Sequence, residues 1–173
     1  MPLPRLKDYL PAELDFPGPA APRIPDSSLA REAEDALGAQ EAALLKMERT
    51  TSGLKQAVDR FMERIEDRWT ELDEEEVIAI IQDFLQEEVR NRAPLLNALS
   101  GAESRRKDAL KLRDTTLKAR LLALTDREIK ALRAASDAFE LGKRRLLKIR
   151  DHVLTRDAQE MSTPFWNGDE PDS

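Results

Sequence analysis

The chain has 173 residues, a formal net charge of −6, no cysteine, and 36% charged residues. That length confines it to one domain or one long supersecondary unit with tails. The missing thiols exclude disulfides, zinc–thiolate centres and cysteine nucleophiles, and the acidic balance argues against a bare nucleic-acid binder.

Ala, Leu, Glu, Lys and Arg make up just over half of the sequence, the composition of long helices. Strict apolar alternation is rare, so strands are not expected. Proline then divides the chain: seven of the ten lie at or before Pro25, one is Pro94, and two follow residue 163. Residues 1–26 read as an extended, proline-rich arm. It carries Leu6, Tyr9, Leu10, Leu14 and Phe16, large apolar groups that a purely solvating linker lacks. These five are candidate partner-binding anchors, able to lie along the chain's own helices or along another protein.

A first helix is expected over 27–72, with Asp26, Ser27 and Ser28 as candidate caps. Its seam runs through Leu37, Leu44, Met47, Leu54, Val58, Phe61, Ile65 and Leu72 in alternating steps of three and four, the heptad rule. Near residue 73 the phase slips. Asp73 and Glu76 form a capping-box pattern, which starts a second helix over 74–92. Its apolar set is Ile78, Ile81, Leu85 and Val89, widened by Val77 and Phe84, so more than one neighbour is expected. Pro94 should end it. A third helix is expected over 103–157, launched by Ser100 and Glu103. Its seam passes through Leu110, Leu117, Leu121, Leu124, Leu132, Ala135, Phe139, Leu146, Ile149 and Val153. Trp69 is expected in the core or against the second helix. Residues 158–173 form an acidic tail bearing Phe165 and Trp166, an aromatic pair that serves as a second candidate anchor.

The two long arms differ in sign. Residues 27–92 hold nine basic and seventeen acidic residues, whereas 103–157 hold sixteen basic and nine acidic. Opposite charge favours side-by-side pairing and disfavours like-charged alternatives. The expected fold is therefore all-α: an elongated antiparallel helical hairpin or coiled coil, with a shorter third helix at the bend and extended arms at both termini. Arg105, Arg106, Lys107, Lys143, Arg144 and Arg145 are candidate anion contacts, but no aromatic residues interleave with them for base stacking.

Catalytic chemistry finds little footing. His152 is the single histidine, which is too few for a pair of Glu-x-x-His motifs, and the six glycines are scattered rather than gathered in a phosphate loop. LTDREIKAL resembles the opening of the helix-turn-helix of bacterial response regulators. The residues after it lack a second helix start and recognition-helix spacing. No cofactor, metal or catalytic residue is assigned. The longest purely apolar run, VIAII at 77–81, is far below the ~20 residues a membrane-spanning helix needs. The N-terminus has no apolar core of signal-peptide type. The expected protein is cytoplasmic, or part of an intracellularly assembled particle. It is a non-enzymatic adaptor or structural subunit that docks protein partners, or copies of itself, through its terminal arms. The alternative is a nucleic-acid-associated accessory protein using the basic helix 103–157.

Overall fold

A computed structural model describes residues 3–11, 14, 16 and 30–162, excepting the side chains of 30–33 and 162. Three long helices make up the body: α1 (Ala30–Glu66), α2 (Glu74–Leu110) and α3 (Thr115–Ser162), with one-turn 3-10 helices at Leu6–Asp8 and Trp69–Glu71. Among the described residues there is no strand, and no helix is long and apolar enough to cross a membrane. At ~1.5 Å per residue α3 alone is roughly 70 Å long.

The first arm's seam is the one its periodicity predicts. Leu37, Leu44, Met47, Leu54, Val58, Phe61 and Ile65 are all buried, and Thr51 fills its gap with its hydroxyl bonded to the Glu48 carbonyl at 3.1 Å. The helix ends at Glu66 rather than 72, and the expected caps Asp26, Ser27 and Ser28 lie outside the described residues. At the bend Asp73 caps α2 as its sequence predicts. Its carboxylate accepts from the Glu76 amide at 2.8 Å, and the Glu76 side chain accepts from the Asp73 amide at 3.3 Å. Arg156 of α3 closes the corner, donating to the carbonyls of Thr70 and Leu72 at 2.9 and 2.7 Å. Trp69 packs half-buried against the main core, as one of its two expected places, and faces α3: its ring lies 5.7 Å from that of His152 and 6.0 Å from the Arg156 guanidinium carbon.

Three expectations need correction. The second helix does not stop at Pro94; it runs on to Leu110 with the proline inside it. A proline in a helix interior removes one hydrogen bond and costs ~3 kcal/mol in isolation. Here Phe84, Glu88, Asn91, Leu95, Ala98 and Ala102 hold one buried line through that point, so tertiary packing outweighs the local break. In the turn before the proline, the Asn91 side-chain amide donates to the Glu87 carbonyl at 2.8 Å.

Second, the last helix starts at Thr115, not 103. Asp114, which falls on the line of the expected seam between Leu110 and Leu117, sits at the head of α3 rather than inside it, accepting from the Leu117 amide at 3.0 Å. Ser100–Glu103 lies within α2 and starts nothing; α3 runs unbroken past Thr125, whose hydroxyl bonds back to the Leu121 carbonyl at 3.0 Å.

Third, the arrangement is an up-down-up bundle rather than a two-armed antiparallel hairpin. Contacts between α1 and α3 keep a nearly constant separation in sequence: Arg127–Glu48 and Arg145–Glu66 are 79 apart, Arg120–Glu34 and Arg145–Asp59 are 86 apart. A constant offset means that these helices run parallel. On the α2 side Arg105 meets Glu128 while Arg106 meets Asp126, so advance along one helix is retreat along the other, and α2 and α3 are antiparallel. Continuing α2 past Pro94 inserts a full-length descending helix, and that insertion turns the basic arm parallel to α1.

The main core is tied together near Gly142, where Phe84 stacks 6.1 Å from Phe61 and meets Phe139 edge-on at 6.1 Å. A second cluster, built from Leu37, Leu44, Ala109, Leu117, Leu121 and Leu124, closes the opposite end.

Candidate protein-docking surface

The N-terminal segment is used within the chain. Leu6 and Phe16 are fully buried in the main core, and Tyr9, Leu10 and Leu14 pack against it half-buried. The Tyr9 ring meets Phe61 edge-on at 5.8 Å, and the Leu6 amide donates to Asp83 at 3.2 Å. The five candidate anchors are thus spent on the bundle's own surface, because α1 and α2 leave Phe61 and its neighbours uncovered on that side. Phe165 and Trp166 lie outside the described residues.

The basic candidates divide. Arg105 pairs with Glu128, Arg106 with Asp126 at 2.7 Å, and Arg145 with Glu66 at 2.7 Å and Asp59 at 3.4 Å. Lys107, Lys143 and Arg144 form no ion pair among the described residues. The two triplets form no joint patch. Arg106 lies beside Asp126, and from there to Arg144 is roughly 27 Å along α3. What the arginines build instead is a ladder between the parallel helices. Glu34, Glu41 and Glu48 repeat every seven residues on α1, and Arg120 and Arg127 repeat likewise on α3. Arg120 bonds Glu34 and lies 3.9 Å from Glu41; Arg127 bonds Glu48. The Glu34 hydrogen bond is the main cause holding the Arg120 guanidinium above its ordinary pKa, with burial opposing and the charges of Glu34 and Glu41 adding. A guanidinium raised in this way stays charged at neutral pH. A one-heptad slip of α3 would carry Arg127 toward Lys55 in one direction and toward Glu41 in the other, so these exposed pairs disfavour only one of the two slips and add little stability.

The surface that stands out is the outer side of α2. Sequence periodicity puts Ile78, Ile81, Leu85 and Val89 on its apolar face. In the structure Val77 and Phe84, expected to widen that face, are buried together with Ile80; Ile81 packs half-buried against the core, and Ile78, Leu85 and Val89 turn outward. Ile78 is 39% exposed, Val89 61% and Leu96 53%, with Leu85 half-buried between them. At ~100° per residue these four side chains fall within about 20° of one line along the helix. Pro94 signals a helix end and so hides Leu96 from the sequence pattern; because α2 continues through the proline, Leu96 joins the line.

Between residues 78 and 96 that strip carries one charge, Arg92, which is drawn back to Glu88 at 2.8 Å. Its other neighbours are Ile81, Gln82 and Ala93, in a chain that is 36% charged. A shallow hollow of about 470 Å³ lies beside Leu85 and Val89, edged by Gln82, Gln86 and Arg90. Lone exposed leucines are ordinary; four aligned apolar side chains on one helix face make this the candidate docking surface.

Among the described residues no group of three or more His, Cys, Asp or Glu is placed to hold a metal ion. Comparison with protein-family models, curated proteins and solved structures finds no match to this chain.

Proposed function

We propose that this chain is a non-enzymatic helical scaffold, an adaptor or structural subunit of a cytoplasmic assembly, that docks protein through the outer face of α2. The carrying observation is the Ile78–Leu85–Val89–Leu96 strip, aligned along one helix face and exposed except for the half-buried Leu85. The rod sets a distance, and the tail with Phe165 and Trp166 supplies a second anchor at the end of α3. This reading departs from docking through both termini, because the N-terminal anchors are already buried within the chain. The nucleic-acid reading has less support: Arg105, Arg106 and Arg145 are held by acids, and the remaining bases are dispersed.

Affinity purification from the cell of origin tests the proposal, using wild type, Leu85→Glu with Val89→Glu, and a chain cut after Ser162. The strip variant should lose co-purifying protein while keeping its helical circular dichroism; the cut chain should lose a part. Unchanged capture by both variants would refute the reading, and turnover of a small substrate would overturn its non-enzymatic half.

A further inference from the structure

We infer that the occupant of the α2 face is a second copy of this chain, lying antiparallel across it about a two-fold axis beside residue 87. The inference rests on the reading that this face docks protein, and it adds the partner and the geometry.

The strip is self-complementary. Its members are spaced by seven, four and seven residues, a sequence of steps that reads the same from either end. Turning the helix end for end about its midpoint lays the strip on itself. Ile78 then faces Leu96 of the second copy, and Leu85 faces its Val89. The one charged member of the strip is also provided for, since Arg92 comes opposite Gln82, whose side-chain carbonyl accepts a guanidinium hydrogen bond. A closed contact of this kind, in which each patch meets its own counterpart, is what two-fold pairing requires.

A parallel pair would also match apolar to apolar, so symmetry of the strip does not by itself choose the direction. Charge does. Arg92 is the strip's one charged member, and parallel pairing in register would set it beside the Arg92 of the second copy. Antiparallel pairing sets it opposite Gln82 instead and opposes the two helix dipoles.

Size sets the strength. A strip roughly 27 Å long on a helix roughly 10–12 Å across offers a footprint of about 300 Å². This falls short of the ~800 Å² per partner of a standard stable interface. The dimer is therefore reversible, with a dissociation constant on the order of micromolar or weaker.

The absence of cysteine makes the test direct. Ile78→Cys and Leu96→Cys are surface changes, and each variant is checked for wild-type circular dichroism before oxidation. Like positions in the antiparallel pair lie roughly 27 Å apart, whereas a disulfide needs Cα atoms within about 7 Å. Each variant oxidised alone should stay monomeric, and a mixture of the two should give a disulfide-linked dimer. Sedimentation of wild type from 10 µM to 1 mM, as an order-of-magnitude window around the expected dissociation constant, should show mass rising toward twice the monomer. Val89→Glu should remain at one. Cross-linking of either variant alone, no cross-link in the mixture, or a Val89→Glu dimer as strong as wild type would each overturn the proposal. If cross-linking fails while cellular capture still depends on the strip, the docking reading survives and its occupant is a different protein.

Discussion

Gly142 lies where three helices come closest, and replacing it with alanine measures how close. A methyl group there would sit 2.8 Å from the Phe84 Cζ, 3.1 Å from its Cε2 and 2.9 Å from the Val58 Cγ1. Carbon atoms in good contact are about 3.5–4.0 Å apart, so both neighbours must move. Neither has room. Phe84 is fully buried between the rings of Phe61 and Phe139, and Val58 is 2% exposed. Overpacking of this kind costs about 1–3 kcal/mol. Against it stands the better helix propensity of alanine, about 0.8–1.0 kcal/mol. Gly142→Ala should therefore be destabilising by about 0–2 kcal/mol. Gly38 is the internal control: it is exposed in α1, and an added Cβ meets nothing within 4 Å. Gly38→Ala should gain about 0.5–1 kcal/mol. The same chemical change in two helices of one protein should then differ by about 1–3 kcal/mol, or roughly 2–12 °C in Tm for a chain of this size. Urea and thermal unfolding followed at 222 nm read both quantities. Phe84→Leu should relieve the clash, making the double variant less unstable than the sum of the two single changes. Equal stabilisation by Gly38→Ala and Gly142→Ala would refute the close approach of α1, α2 and α3 at this point.

Two further outcomes follow from burial. Phe16→Ala should lower stability by about 3–5 kcal/mol if the N-terminal segment is part of the core; an unchanged denaturation midpoint would return it to the role of a free arm. Glu88 is 6% exposed with one carboxylate oxygen bonded to Arg92 and the other, Oε2, without a hydrogen-bond partner. Arg92 is half exposed and can turn to water, so Glu88→Met removes a buried carboxylate without leaving a buried charge behind; it should raise the urea midpoint, and a clear fall would show that the carboxylate is better served than its surroundings indicate.

Much of the fold was legible. The α1 seam from Leu37 to Ile65 and the α3 seam from Leu117 to Val153 are buried as their spacing predicts, because heptad periodicity reports directly on one helix face. The Asp73–Glu76 box was legible for a similar reason: it is a contact between groups three residues apart. Errors arose where a local signal competed with distant packing. Pro94 and the Ser100–Glu103 pattern both argue for a break, and the burial of Leu95, Ala98 and Ala102 overrides them. Asp114 is the converse case, a real cap hidden because the apolar phase appeared to pass straight through it. Of the site, the spacing of Ile78, Leu85 and Val89 shows them apolar and aligned, but points to the interior rather than to the surface.

Sequence alone determined that the chain is helical, where its long seams lie, and that one bend falls at residue 73. All of these depend on groups within a turn or two of each other along one backbone. Only the tertiary structure decided that α3 runs parallel to α1, that the N-terminal segment is consumed by the core, and that α2 buries Val77, Ile80 and Phe84 while turning Ile78, Val89 and Leu96 outward. A helix with two apolar lines does not reveal which one meets its neighbours. That is settled by where residues some 80 positions away in the chain come to rest, as the Arg120–Glu34 and Arg145–Glu66 pairs do here.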